Sequence, residues 1–296
     1  PGLLGNATFF KRQFQSPIER HDDKNRRQQL VKRVAPFMMR RKKSEVIAEL
    51  PEKIEIIRSI VLDKKQSALY ESIRLSMEKR VREAIAKKGL AGNHILVLDA
   101  LLKLRQTCCD PGLLSLPQAE KVNESAKLDT LLEMLAELLD EGRKILIFSQ
   151  FTSMLAIIET HIQAASIRYS KLTGQTKNRD AAIDKFKQGE ADVFLISLKA
   201  GGVGLNLTEA DTVIHYDPWW NPAAENQATD RAHRIGQNKA VFVYKLITEN
   251  TVEEKILALQ AKKQGLMNGL YDQDNSGMDM KLSAEDLEAL FSPLAS

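Results

Sequence analysis

The sequence predicts an α/β fold, a parallel sheet flanked by helices, with an additional α-helical subdomain ahead of it and helices behind it. Three observations predict it. From Lys144 onward, short β-rich runs alternate with helical stretches, and such alternation means a parallel sheet with helical crossovers. Between about residues 62 and 139, apolar residues recur at intervals of three and four with no strand-like alternation. The 296 residues, 43% of them apolar, are enough to bury a full core.

Residues 1–60 read as a basic helical lead. Across residues 11–43, twelve lysines and arginines stand against three acids, a local +9 in a chain whose formal net charge is +4. Such a segment favours polyanions through counterion release, without base readout, or else serves as a solvated linker. Residues 61–124 read as a helical insertion. Leu69, Ile73, Met77 and Val81 fall four apart; after a loop at 89–93 come Ile95, Leu98, Leu101, Leu102 and Leu104, ended by Asp110-Pro111-Gly112. Residues 117–124 form a polar connector, after which Ser125 is placed to cap a helix rich in Leu128, Leu131, Leu132, Leu135, Leu138 and Leu139.

Residues 125–250 carry the sheet, with strands expected at 145–149, 167–172, 193–197, 212–216 and 241–247. Helices are expected at about 152–164, 177–187, 222–234 and 252–268. Ligands of such sheets gather beyond the carboxyl ends of the strands. The arginines near residue 234 are therefore expected to line that working edge. Residues 251–296 read as a C-terminal brace helix and a tail, polar beyond about Asp272, with helical periodicity returning over 282–291.

The chemistry concentrates in Gln227-Ala-Thr-Asp-Arg-Ala-His-Arg-Ile-Gly-Gln237. Arg231 and Arg234 are three residues apart, one helical turn, just before a glycine able to end the helix. Two guanidiniums on one face make a phosphate clamp, because each presents a planar fork of donors; the alternative is a solvated charged face. Upstream, Gly201, Gly202 and Gly204 follow an apolar run and leave backbone N–H groups free to approach an anion beside Lys199, although glycine-rich turns also simply turn corners. Trp219 and Trp220, flanked by Pro218 and Pro222, read as packing in a rigid turn rather than as base-stacking platforms. His215 and His233 have no partner at metal or acid–base spacing, and His233 reads as a hydrogen-bonding group at an interface.

No metal site is expected. Cys108 and Cys109, the only cysteines, are adjacent and read as core thiols in a reduced, intracellular setting. No apolar run approaches the roughly 18 to 20 residues that span a bilayer, so no membrane partner is expected.

The glycine run and the arginine segment, joined by Asp211-Thr-Val-Ile-His-Tyr-Asp-Pro-Trp-Trp-Asn-Pro222, resemble motifs V and VI of the Swi/Snf family of DNA-translocating, helicase-like ATPases. Ile145-Leu-Ile-Phe-Ser-Gln-Phe151 is similar to motif IV, and Leu172-Thr-Gly174 stands in its expected place. Pro36-Phe-Met-Met-Arg-Arg-Lys-Lys43, Leu50-Pro-Glu-Lys53 and Leu101-Leu-Lys-Leu-Arg-Gln-Thr-Cys-Cys-Asp-Pro111 extend the likeness, which runs from about Phe37 to Leu290. Where many relatives carry Thr-Arg before Ala-Gly-Gly, this chain has Leu198-Lys199.

The resemblance implies a RecA-like second lobe of a two-lobe motor. No Gly-x-x-x-x-Gly-Lys-Ser/Thr loop occurs in the chain. ATP and Mg2+ would accordingly be gripped mainly by a first, N-terminal RecA-like lobe of the same longer chain, with neither held by these residues alone. A start at Pro1 rather than methionine agrees with an internal beginning, and equally with a processed terminus. In this reading Arg231 and Arg234 are arginine fingers, Gln227 contacts phosphate or orients water, and Asp230 fixes an arginine rotamer. Gly202 and Gly204 let the loop approach nucleotide or DNA. Ser149, Gln150, Thr173, Lys199 and Thr208 would contact the backbone of double-stranded DNA, positioning it without reading bases. A monomer is expected, in the cytoplasm or nucleoid of a prokaryote or the nucleus of a eukaryote. Two other readings are a nucleic-acid-binding module without catalysis and a protein-interaction scaffold that has lost the motor.

Overall fold

Six short strands, rich in β-branched and aromatic residues, define the computed structural model: β1 (Lys53–Ile60), β2 (Ile145–Ser149), β3 (Tyr169–Leu172), β4 (Val193–Ser197), β5 (Thr212–His215) and β6 (Val241–Thr248). They pair in the order β1-β6-β5-β2-β4-β3, and every pairing is parallel. The structure describes residues 3–21, 23–37, 50–88, 92–200, 205–270 and 290–292.

Two compact units divide the chain, Pro1–Glu49 and Leu50–Ser296. In the first, the described residues form α1 (Ala7–Phe10), a π-helical turn (Lys11–Gln15), α2 (Ser16–His21) and α3 (Lys24–Val34). Phe14 is its buried anchor, beside the Phe10 ring and beneath the Arg33 guanidinium. The basic cluster at residues 40–43 lies outside the described residues.

The second unit holds the sheet. Side chains alternate between its faces, as the two-residue strand period requires. Ile145, Ile147, Val193, Leu195, Ile214 and Leu246 pack on one face under α6 (Ala126–Asp140) and α7 (Thr152–Ala164). Leu146, Phe148, Phe194, Ile196, Val213 and Val243 pack on the other, with Phe186 of α8 (Arg179–Lys187) and Ala228 of α9 (Pro222–Thr229). All five strands expected from residue 144 onward are present, the second starting at Tyr169 and the fourth ending at His215.

Residues 53–60, read from the sequence as part of the helical lead, are instead the edge strand β1, registered from Lys53 opposite Val241 to Ile60 opposite Thr248. Four isoleucines in eight residues were the local signal. The partner strand lies more than 180 residues further along, so no nearby pattern completes it.

The helical insertion comprises α4 (Lys64–Lys88) and α5 (His94–Cys109), the latter stopped where Asp110 accepts from the Gly112 N–H at 2.7 Å. Leu69, Ile73, Met77 and Val81 are buried, as expected. On α5 the buried face is Val97, Ala100, Leu101, Leu104 and Cys108, while Ile95, Leu98 and Leu102 face outward. Cys108 and Cys109 are free and fully buried, and burial pushes the Cys108 thiol up to about 12.

Ser125 occupies the cap position of α6 but does not cap it. Its hydroxyl donates to the Cys109 carbonyl at 3.3 Å, and the Ala126 N–H is satisfied by Gln66 Oε1 at 3.1 Å. The opposite helix, α10 (Val252–Leu270), is tied to α6 by a fully buried ion pair, Lys127 Nζ to Glu253 Oε2 at 2.5 Å. Leu290 and Phe291 are buried against α4 and α10, where Arg74 donates to the Phe291 carbonyl at 2.7 Å. Among the described residues no helix is long and apolar enough to cross a membrane.

Candidate functional site

Helix α9 starts as the sequence dictates, with Asn221 accepting from the Ala223 N–H at 3.0 Å and Pro222 at the first helical position. It stops earlier than expected, at Thr229. Arg231 and Arg234 thus sit on successive turns beyond the helix rather than on one helical face.

Tertiary bonds explain the early stop. The Arg231 carbonyl, which a continuing helix would use internally, accepts from the Leu207 N–H at 3.0 Å. Thr229 Oγ1 meets His215 Nε2 at 2.9 Å, and His233 Nε2 lies 2.8 Å from the Pro51 carbonyl oxygen. The turn closes at Gly236, whose φ of +100 suits glycine alone.

Gln237 then fixes this turn in space. Its buried amide nitrogen donates to the carbonyls of Thr208 (3.1 Å), Ala210 (2.8 Å) and Ala232 (3.1 Å), and its oxygen accepts from the N–H groups of Asn238 and Lys239, each at 3.0 Å. The segment that leaves the glycine run is thereby stitched to the arginine turn. Gln237 was given no role from the sequence, since a terminal glutamine carries no spacing signal of its own.

These anchors also move the arginines. Pro51 precedes β1 and Ala210 precedes β5, so the turn is tied to the amino ends of those strands, not to the carboxyl edge expected from the sequence. A short helix after β5 carries the chain back along the sheet face before the arginines arrive.

Arg231 is only 6% exposed, and its Nε is buried with no hydrogen-bond partner among the described residues. Burial lowers its pKa, the neighbouring Arg234 charge lowers it further, and Asp230 acts in the opposite sense. Gln227, Asp230 and Arg234 are exposed around it. A desolvated fork beside a second cation, with one nearby acid, is a chemistry that fits an incoming phosphate. Gly202 and Gly204 lie outside the described residues.

The carboxyl edge carries the other expected residues. Ser149 is fully buried and donates to Asp217 Oδ1 at 2.5 Å, so its hydroxyl is committed within the protein; its expected contact with DNA is corrected on that ground. Gln150, half-buried, accepts from Arg105 Nη1 at 2.8 Å, and its amide nitrogen has no partner among the described residues. Thr173, 7% exposed, takes part in the turn after β3, where its hydroxyl accepts from the Gln175 N–H at 3.3 Å. Lys199 is exposed just beyond β4. Thr208 is separate from this group, half-buried on the approach to β5.

Asp217, unassigned from the sequence, is the buried centre of this edge. Burial pushes its carboxyl up to about 6 against the pull of the Arg105 guanidinium and the Ser149 hydroxyl. Trp220 packs on the helical insertion, in keeping with a packing role for that tryptophan. His215 is buried, stacked 5.7 Å from Phe148, and burial holds its pKa down to about 3. No group of three or more His, Cys, Asp or Glu among the described residues could hold a metal ion.

Residues 126–236 match the family described as the helicase conserved C-terminal domain, and residues 1–113 match the SNF2-related domain. The chain is 38% identical over 297 residues to the putative ATP-dependent helicase/translocase YwqA of Bacillus subtilis, covering 98% of this chain and 32% of that protein. It is similar to the Sulfolobus solfataricus SWI2/SNF2 ATPase C-terminal domain, with 34% identity and a TM-score of 0.63, covering 81% of this chain and 98% of the other. The Sulfolobus solfataricus SWI2/SNF2 ATPase core in complex with dsDNA gives 34% identity and a TM-score of 0.66, over 100% of this chain and 62% of that one. The chain spans 27% to 32% of the length of the curated helicases it matches. The all-parallel sheet and these likenesses bear out the RecA-like α/β expectation.

Proposed function

Because this chain belongs to the Swi/Snf family of helicase-like ATPases, we propose that it is the second motor lobe of an ATP-dependent double-stranded-DNA translocase. In this role it presents Arg231 and Arg234 to a nucleotide gripped by a first lobe. The observation that carries the reading is the buried Arg231 guanidinium, with Nε unpartnered among the described residues and Arg234 beside it.

ATP is the substrate here, and a bound Mg2+ would neutralise phosphate charge from the first lobe's side. The residues of this chain do the rest. Arg231 and Arg234 place fixed positive charge where negative charge develops on the transferring phosphoryl group, without solvent having to reorganise. Asp230 tempers the repulsion between the two forks, and exposed Gln227 contacts phosphate or orients water. Gly202 and Gly204 permit close backbone approach. At the carboxyl edge Gln150, Thr173 and Lys199 contact the DNA backbone, with Thr208 a further contact near the arginine turn; none reads bases. The motor works as a monomer inside the cell.

ATP hydrolysis with and without duplex DNA tests this, in the natural full-length protein and in the 296-residue chain. Full-length protein should hydrolyse ATP in a DNA-stimulated manner, and the chain alone should not. Duplex binding should weaken steeply with salt, the log–log slope growing by about −0.9 for each phosphate contact. Motor-like turnover by the chain alone, or sequence-selective binding insensitive to salt, would overturn the proposal.

A further inference from the structure

Arg105 stands where three segments meet. It projects from α5 in the helical insertion, is 2% exposed, and donates from Nη1 to Gln150 Oε1 at 2.8 Å and from Nη2 to the Pro218 carbonyl. The same Nη2 lies 3.4 Å from Asp217 Oδ2. Its guanidinium carbon is 5.7 Å from the centre of the Phe151 ring and 5.6 Å from that of Trp220. Gln150 and Phe151 follow β2; Asp217, Pro218 and Trp220 follow β5, its immediate neighbour in the sheet. Asp217 closes the set by accepting from Ser149 Oγ at 2.5 Å and from the Gln150 N–H at 3.3 Å.

A planar fork with several donors can bridge two loops and stack on aromatic rings at once. An ammonium group is a single point of charge and cannot. The loop after β2 carries Gln150, a proposed DNA contact. The loop after β5 leads through α9 into the arginine turn. The two loops already meet through the Tyr216 N–H, which donates to the Phe148 carbonyl at 2.9 Å, and through Asp217; Arg105 adds the bridge that ties both to the helical insertion.

We propose that Arg105 is a positioning residue, through which the helical insertion locks the DNA-facing loop and the loop leading to the arginine turn into one fixed relation. The inference rests on the second-lobe reading above. It gives the insertion a task in coupling DNA engagement to ATP turnover, and it places that task in a side chain that touches neither DNA nor nucleotide.

The test uses the full-length protein with Arg105→Met and Arg105→Lys. Arg105→Met should lower DNA-stimulated kcat by at least about tenfold while KM for ATP changes by less than about threefold, since positioning acts on the transition state more than on nucleotide binding. Arg105→Lys, which keeps the charge and the aliphatic stem, should recover only part of that loss and melt within a few degrees of wild type. If the Met variant does not fold, the Lys variant decides: reduced DNA-stimulated kcat with a normal melting curve supports the lock. Wild-type kcat in Arg105→Lys overturns it, as does a loss that appears only in KM for ATP. Absence of DNA-stimulated turnover in the wild-type protein would sink the second-lobe reading and this inference with it, and it would be seen before any variant is made.

Discussion

Arg105 and Arg231 are both buried arginines, 2% and 6% exposed, and both leave Nε without a partner among the described residues, yet their surroundings are opposite. Arg105 has two acceptors for its Nη groups, a carboxylate at 3.4 Å and two aromatic rings. Arg231 has another cation, Arg234, as a charged neighbour, opposed by Asp230. An uncompensated buried charge destabilises a fold. An arginine whose Nη groups are met by acceptors and a carboxylate therefore organises structure, whereas one beside a second cation suits an anion that arrives from outside. The Arg105–Asp217 cluster is closed in on itself, and the arginine turn is open.

The largest expected effect breaks or confirms that contrast directly. In the full-length protein, Arg231→Ala or Arg234→Ala should lower DNA-stimulated ATP turnover by about 10³-fold or more, in the range an arginine finger supplies. Arg234 is exposed, so its removal should leave thermal unfolding unchanged within a degree or two. Turnover assays paired with melting curves check both statements. Near-wild-type rates in either variant would mean that the open arginine turn awaits no phosphate.

A smaller effect tests what holds the open region in place. Gln237→Leu removes hydrogen bonds to three carbonyls and two N–H groups on both sides of the turn. Leaving buried backbone groups unsatisfied should cost roughly 2 to 4 kcal/mol, read as a lower urea midpoint at unchanged slope. An unchanged midpoint would show that the Leu207–Arg231 bond anchors the turn without help.

The two regions were also unequally legible in the sequence. Strands β2 to β6 and the helical stretch that begins at Pro222 follow from local signals: short β-rich runs that alternate with helical stretches. What escaped depends on partners far away in the chain. Edge strand β1 exists because β6 offers it a ladder, and α9 ends at Thr229 because Leu207 claims the Arg231 carbonyl. The arginine pair was visible as a motif, whereas its place near the amino ends of the strands was not, because the return path of the chain is set by tertiary bonds. Ser149 looked like a DNA contact because a hydroxyl in a recognised motif carries no mark of burial; only Asp217, 68 residues away in the chain, shows where that hydroxyl points.

The smallest effect sharpens the comparison, because His215 touches both regions: it stacks on Phe148, next to Ser149, and bonds Thr229, next to the arginine turn. Burial holds its pKa down to about 3 from an ordinary 6.5. The unfolded chain thus binds a proton that the folded one refuses. Stability from this group is present above pH 6.5 and is lost as pH falls toward 3, on the order of 1 kcal/mol of it by pH 5.5. Asp217 runs the other way: with its pKa raised from 3.8 to about 6, its contribution is present below 3.8 and is lost as pH rises through 6. Urea unfolding at pH 7.5 and 5.5 separates the two, because His215→Gln should shrink the acid-side loss of stability by roughly 1 kcal/mol and leave the opposite trend of the raised carboxyls, Asp217 and Glu225 among them. If the variant loses stability on acidification as steeply as the wild type, the histidine is not the buried neutral link between the open region and the closed one.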